Sequence, residues 1–171
     1  MPAPGNAPRV TPGRAVTPET LGAWVIKCNA RRTAVDPMLT AGTATSRWCI
    51  AGNYRAQLIR PGQRVLLWVS AHPQRGFWGA GRITGRPSTG DGRLSVPVHV
   101  PLFTEPLTAP QLSAVDGLRA MEVLRSPQQA NPSWVSRTEL TVLDPLLARL
   151  NIRTAGTAVE YRDRRAELET K

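Results

Sequence analysis

The stretch RVLLWVS (64–70) places five apolar residues in a row between a cation and a serine, which is the length of a strand buried on both faces. Farther on the rhythm changes to period two. RLSVPVHV (93–100) turns Leu94, Val96, Val98 and Val100 inward, and Pro97, lacking an N–H, predicts an edge strand. GFWGAGRITG (76–85) alternates as well, with Trp78, Ala80, Arg82 and Thr84 on one face. Its interior glycines, Gly79 and Gly81, suit a sharply coiled strand, or one that a ligand or backbone approaches closely. AWVIKC (23–28) and RWCIA (47–51) are β-rich runs, and AMEVLR (120–125) reads as a strand or an extended segment.

Between these runs lie helix signals. In DPMLTAG (36–42), Asp36 is the expected N-cap, Pro37 the first helical residue and Gly42 the stop. NYRAQLI (53–59) predicts one or two helical turns, and APQLSAV (109–115) a short helix. SRTELTVLDPLLARL (136–150) opens on a capping box, Ser136 with Glu139, and Pro145 should break or restart that helix. Short strands separated by small helices, with no βαβ rhythm, predict an α+β fold: a small closed or partly open β-barrel of five or six strands with short peripheral helices.

A chain of 171 residues suits one domain with a real core. Residues 1–20 hold five prolines and little to bury, so they predict a disordered leader. The domain is expected over 21–150, followed by a charged, flexible tail over 151–171. The leader lacks the apolar segment of a signal peptide, and no run of 18 apolar residues occurs, which predicts a cytoplasmic protein with no membrane partner. In that compartment Cys28 and Cys49 are expected to stay reduced, although pairing of their strands would bring them into contact. A zinc site from Cys28, Cys49, His72 and His99 lacks a close-spaced ligand pair, so no metal and no cofactor are expected.

Charge changes the picture through its location. Of the net +10, residues 21–90 contribute +9, because ten cations there face a single acid, Asp36. Arginine supplies 20 of the 22 cations, a choice that GC-rich coding alone would explain; the missing acids are not explained that way. A one-sided basic half predicts a polyanion surface, most simply DNA or RNA, against the plainer reading of solubility charge on a solvated face. Arg55, Arg75 and Arg86 are the expected phosphate contacts.

Catalytic signals are sparse. There is no G-x-S-x-G, H-E-x-x-H or Walker loop, and the acids Glu105, Glu122 and Glu139 show no paired pattern. No catalytic residue is assigned. Flat rings and amides amid positive charge are what the chain does carry, and proteins that hold single-stranded nucleic acid combine such platforms with basic grooves. Each tryptophan taken alone is more often core than ligand platform, and Trp68, inside RVLLWVS, still more so.

At this point the residues resemble a family. WVIKCN, RWCIAGNYRAQLIRPGQRVLLWVS, GFWGAGRITG and RSPQQANPSWVSRTEL, in that order from Ala23 to Leu147, are similar to an EVE domain of the PUA-like superfamily; VIKC and RW also resemble the related YTH domain, a reader of N6-methyladenine in RNA. The resemblance implies a PUA-like barrel with a pocket for a single, often modified base, and a link to 5-methylcytosine-type bases in DNA and to modified RNA. It carries over Lys27 at the close of the first strand, Asn29 near the base and Trp48 as cage tryptophan. Cys49 stands where a YTH reader has serine. Asn53, Tyr54 and Arg55 match an N-Y-x-A stretch, Ser70 a small polar strand end, and Asn131 and Ser133 the closing loop. With Trp78 these form the expected base-binding set. The function they imply is a non-catalytic reader of a modified base, single-stranded or flipped from a duplex. The alternative is an enzyme or enzyme subunit acting on RNA or nucleotides through the same pocket.

Overall fold

The structure is a computed structural model that describes residues 15–154. Eight strands form one curled, mixed sheet: β1 (Leu21–Asn29), β2 (Arg47–Cys49), β3 (Arg64–Ser70), β4 (Gly76–Ile83), β5 (Ser88–Gly90), β6 (Arg93–His99), β7 (Leu102–Thr108) and β8 (Ser133–Ser136). The main path runs β2-β6-β4-β3-β1-β8, with β5 paired to β6 and β7 to β4. β1 and β3 are parallel and the other pairings antiparallel. The helices are short: α1 (Asp36–Ala41), α2 (Tyr54–Leu58), α3 (Ala109–Ser113), α4 (Glu122–Arg125) and α5 (Arg137–Leu147). This is the α+β half-barrel expected, with more strands than expected because β5 and β7 are short or irregular additions.

Two apolar cores follow from strand alternation. Trp24, Ile26, Cys28, Val65, Leu67 and Val69 face the hollow of the sheet, where Val96, Val98 and Val100 of the β6 region join them. Val25, Leu66, Trp68 and Phe77 face outward and are covered by α3, α4 and α5. The run RVLLWVS is therefore buried on both sides, as its continuous apolarity requires. The β4 glycines let the chain fold tightly: a Cβ on Gly79 would lie 2.6 Å from the Pro101 carbonyl oxygen, and one on Gly81 would fall on that of His99.

Several expectations are corrected. Residues 120–125 form no strand: after a 3-10 turn at Asp116–Leu118 they make the single turn α4, which with its N-cap Met121 buries Val123 in the outer core against β8. Pro145 does not break α5, because Leu143 and Leu147 are both buried and hold the helix on either side of it. β6 is not an edge; it is paired on both sides, and Pro97 sits just beyond the β4 ladder, where its carbonyl accepts from Thr84 N–H. Val35, not Asp36, is the N-cap residue of α1. The ordered chain also starts before residue 21: Val16 is buried in the inner core, and its N–H donates to the Tyr54 hydroxyl. At the other end Asn151–Arg153 hydrogen-bond along β7. The rest of the expected leader and tail, residues 1–14 and 155–171, lies outside the described residues. No helix among the described residues is long and apolar enough to cross a membrane.

Candidate functional site

The five tryptophans separate cleanly. Trp24, Trp68, Trp78 and Trp134 are at most 4% exposed, so each is a core residue first. Trp48, in the three-residue strand β2, is partly exposed. One part of its ring packs on the inner core, while its indole N–H donates to the Thr45 carbonyl at 2.7 Å. Strand alternation sends its neighbours Arg47 and Cys49 the other way, to solvent. Cys49 is a free, exposed thiol and Cys28 a free, buried one, whose thiol burial pushes up in pKa against a hydrogen bond to Thr33.

Asn29 and Ser70 come together because parallel β1 and β3 end in register. Asn29 is exposed, with Oδ1 accepting from Arg31 N–H, and the Ser70 carbonyl accepts from Ala30 N–H. Trp78 lies near this end through the β3–β4 hairpin, its ring edge-on to His72 at 4.7 Å.

A second group is tied together by polar contacts. Asn131 completes the β1 edge with its side chain: Oδ1 accepts from Lys27 N–H at 2.8 Å and Nδ2 donates to the Lys27 carbonyl at 3.0 Å. Its own carbonyl accepts from Ala51 N–H, fixing the closing loop beside α2. The Lys27 ammonium donates to the carbonyls of Pro127 and Gln129. Burial pushes its pKa down, the Glu122 charge pulls it up, and Arg55 adds to the lowering.

Arg55 is a correction. Instead of offering a phosphate contact it is 6% exposed, and it meets both Glu122 oxygens at 2.6 and 2.8 Å while donating to the Pro132 carbonyl. Ser133 is fully buried, with Oγ donating to Glu122 at 2.9 Å. Burial raises the Glu122 carboxyl; the hydrogen bonds from Arg55 and Ser133, with the charges of Arg55 and Arg125, outweigh it and hold the pKa below the ordinary value of 4.5. Glu122 is the acid that sequence reasoning missed as a partner, and a separation of 67 residues from Arg55 offered no local signal. Lys27, Arg55, Asn131 and Ser133 thus brace the loop around α2.

Asn53 caps α2 by accepting from Arg55 N–H, and lines an open cavity of about 350 Å³ with Arg60, Arg86 and Leu94. Tyr54 is 48% exposed. Arg75 and Arg86 are exposed, as a phosphate surface requires. The other expected residues form two clusters, the Asn29–Ser70–Trp78 strand ends and the Lys27–Asn131–Ser133 loop, with Trp48 packed on the inner core from the terminal strand β2.

No protein-family model and no curated protein sequence matches the chain. Solved structures do. A Pseudomonas putida protein superposes with a TM-score of 0.56 at 21% identity, covering 72% of this chain and 98% of that one. A Leishmania major protein gives 0.56 at 17% identity, with coverages of 74% and 94%. Human THYN1, solved in complex with DNA containing 5-methylcytosine, gives 0.55 at 14% identity, with coverages of 72% and 96%. These likenesses show the fold: a PUA-like small barrel.

Proposed function

We propose that the protein binds nucleic acid and holds one base, preferably a methylated one, against Trp48, without chemistry on that base. The observation that carries this reading is the partly open ring of Trp48, alone among five tryptophans, on a fold that human THYN1 brings to 5-methylcytosine-containing DNA. Asn29 and Ser70 are polar groups at strand ends that suit reading a base edge. The exposed Arg75 and Arg86 suit the backbone.

Energetics shape the ligand. Stacking one base contributes about 1–3 kcal/mol. One buried methyl adds about 0.8 kcal/mol, roughly fourfold in affinity. Extracting a base from a duplex costs a few kcal/mol, enough to cancel the stacking. The protein should therefore favour single strands, or sites where the base is already displaced. A panel of matched oligonucleotides, modified and unmodified, single-stranded and paired, tests this directly. Equal affinity across the whole panel, for both wild type and Trp48→Ala, would overturn the reading.

A further inference from the structure

An open cavity of about 480 Å³, lined by none of the expected base-binding residues, lies between α5, the β3–β4 edge and the start of β1. Three arginines line it, Arg64, Arg82 and Arg137, against a single carboxylate, Asp144. The surplus is two positive charges in one concavity.

The fold accepts two electrostatic costs to put them there. Arg64 and Arg82 stand directly opposite each other on antiparallel β3 and β4, an arrangement that is unfavourable for like charges. Arg137 is the first residue of α5, following its N-cap Ser136, so its cation sits at the positive end of the helix dipole. Asp144 offsets part of this by pairing with Arg64 at 2.6 Å. Arg82 donates to the Gly62 carbonyl, and Arg137 to those of Leu21 and Pro18. These bonds orient the guanidiniums without neutralising them. A guanidinium has five N–H donors, so each arginine keeps donors for a further acceptor.

We infer that the Arg64–Arg82–Arg137 cavity is a binding site for a phosphate group. Arginine forks match phosphate oxygens in geometry as well as charge, and a dianion here would remove both costs at once. Leu21 and Gly22 line this cavity, whereas Asn29 ends the same strand; seven steps of β1 separate Gly22 from Asn29, about 23 Å at ~3.3 Å per residue. The site is therefore distinct from the proposed base contact and goes beyond it.

Calorimetric titration with inorganic pyrophosphate and with an oligothymidylate tests the inference on wild type, Arg82→Gln and Asp144→Asn. Arg82→Gln should weaken pyrophosphate binding about tenfold while leaving the melting temperature unchanged or higher, because it removes a like-charge pair. Asp144→Asn should strengthen binding severalfold by removing the competing carboxylate. If oligothymidylate follows the same pattern, the natural phosphate is a nucleic-acid backbone; if it is indifferent to both substitutions while pyrophosphate responds, the ligand is a free phosphate compound. Either result upholds the site. It is overturned if neither probe responds to either substitution. Pyrophosphate carries no base, so these outcomes are independent of the base panel.

Discussion

Arg55 and Glu122 meet fork to fork inside the molecule, with N···O distances of 2.6 and 2.8 Å and 6% and 5% of each residue exposed. The pair joins α2 to α4, and through Ser133 and the Pro132 carbonyl it also fixes the start of β8. Removing one partner leaves the other buried and uncompensated. Arg55→Met and Glu122→Leu should each cost about 3–5 kcal/mol, and the double substitution less than the sum of the two. Denaturant melts of the three variants measure this, and additive costs would show that the pair is not coupled.

The same pair sets an acid limit. The folded-state pKa of Glu122 lies below its ordinary 4.5, so the unfolded chain binds the proton more tightly. Its contribution is present above pH 4.5 and is lost as pH falls from there through the lower folded value. Wild type should lose stability steeply over that window, and Glu122→Gln should start lower and fall less. Parallel pH profiles for the two proteins would remove Glu122 as the cause.

Trp48 and Trp68 should respond in opposite ways. Trp68 is 2% exposed and packs edge-on against Phe77 at 5.0 Å, so Trp68→Ala should cost about 3–5 kcal/mol of stability and leave base preference intact. Trp48→Ala should cost less stability, about 1–3 kcal/mol of binding, and the preference for the modified base. Melting curves and the oligonucleotide panel on both variants decide it. Equal melting losses with preference retained would make Trp48 a core residue only.

Charge reversal should separate phosphate contacts from bystanders. Arg75→Glu and Arg86→Glu change exposed residues, and each should weaken binding to every sequence. Each should also reduce the salt slope by about 0.7, the loss of one phosphate contact on a single strand. Arg149→Glu, also exposed, should leave the slope alone. Salt titrations of the three variants give the comparison.

Gly81 and Gly52 form a control pair for close packing. A Cβ at Gly81 collides with the His99 carbonyl, whereas one at Gly52 meets nothing within 4 Å. Gly81→Ala should therefore destabilise by about 1–3 kcal/mol, because β4 and the chain after β6 must move apart. Gly52→Ala should stay within about 0.5 kcal/mol, as surface changes do. Thermal melts read both.

Local rules in the sequence determined much of this protein. Continuous apolarity made RVLLWVS a doubly buried strand, the Ser136–Glu139 box began α5, and Gly42, with φ at 75°, ended α1. These features rest on residues within a few positions of one another, so spacing alone exposes them. The clean alternation of 93–100 also located a strand, while its neighbours on both sides stayed hidden. Tertiary structure decided what depended on distant partners. Arg55 reads as a surface cation until Glu122, 67 residues later, is folded against it, and burial then turns a charge-map residue into a brace. Asn131 reads as part of a closing loop until it is seen bonding both backbone groups of Lys27. Arg64, Arg82 and Arg137 share no motif, and their common cavity exists because an antiparallel register and one helix bring them together. Pattern reports what a residue prefers, but solvation and pairing depend on which segments the fold places beside it.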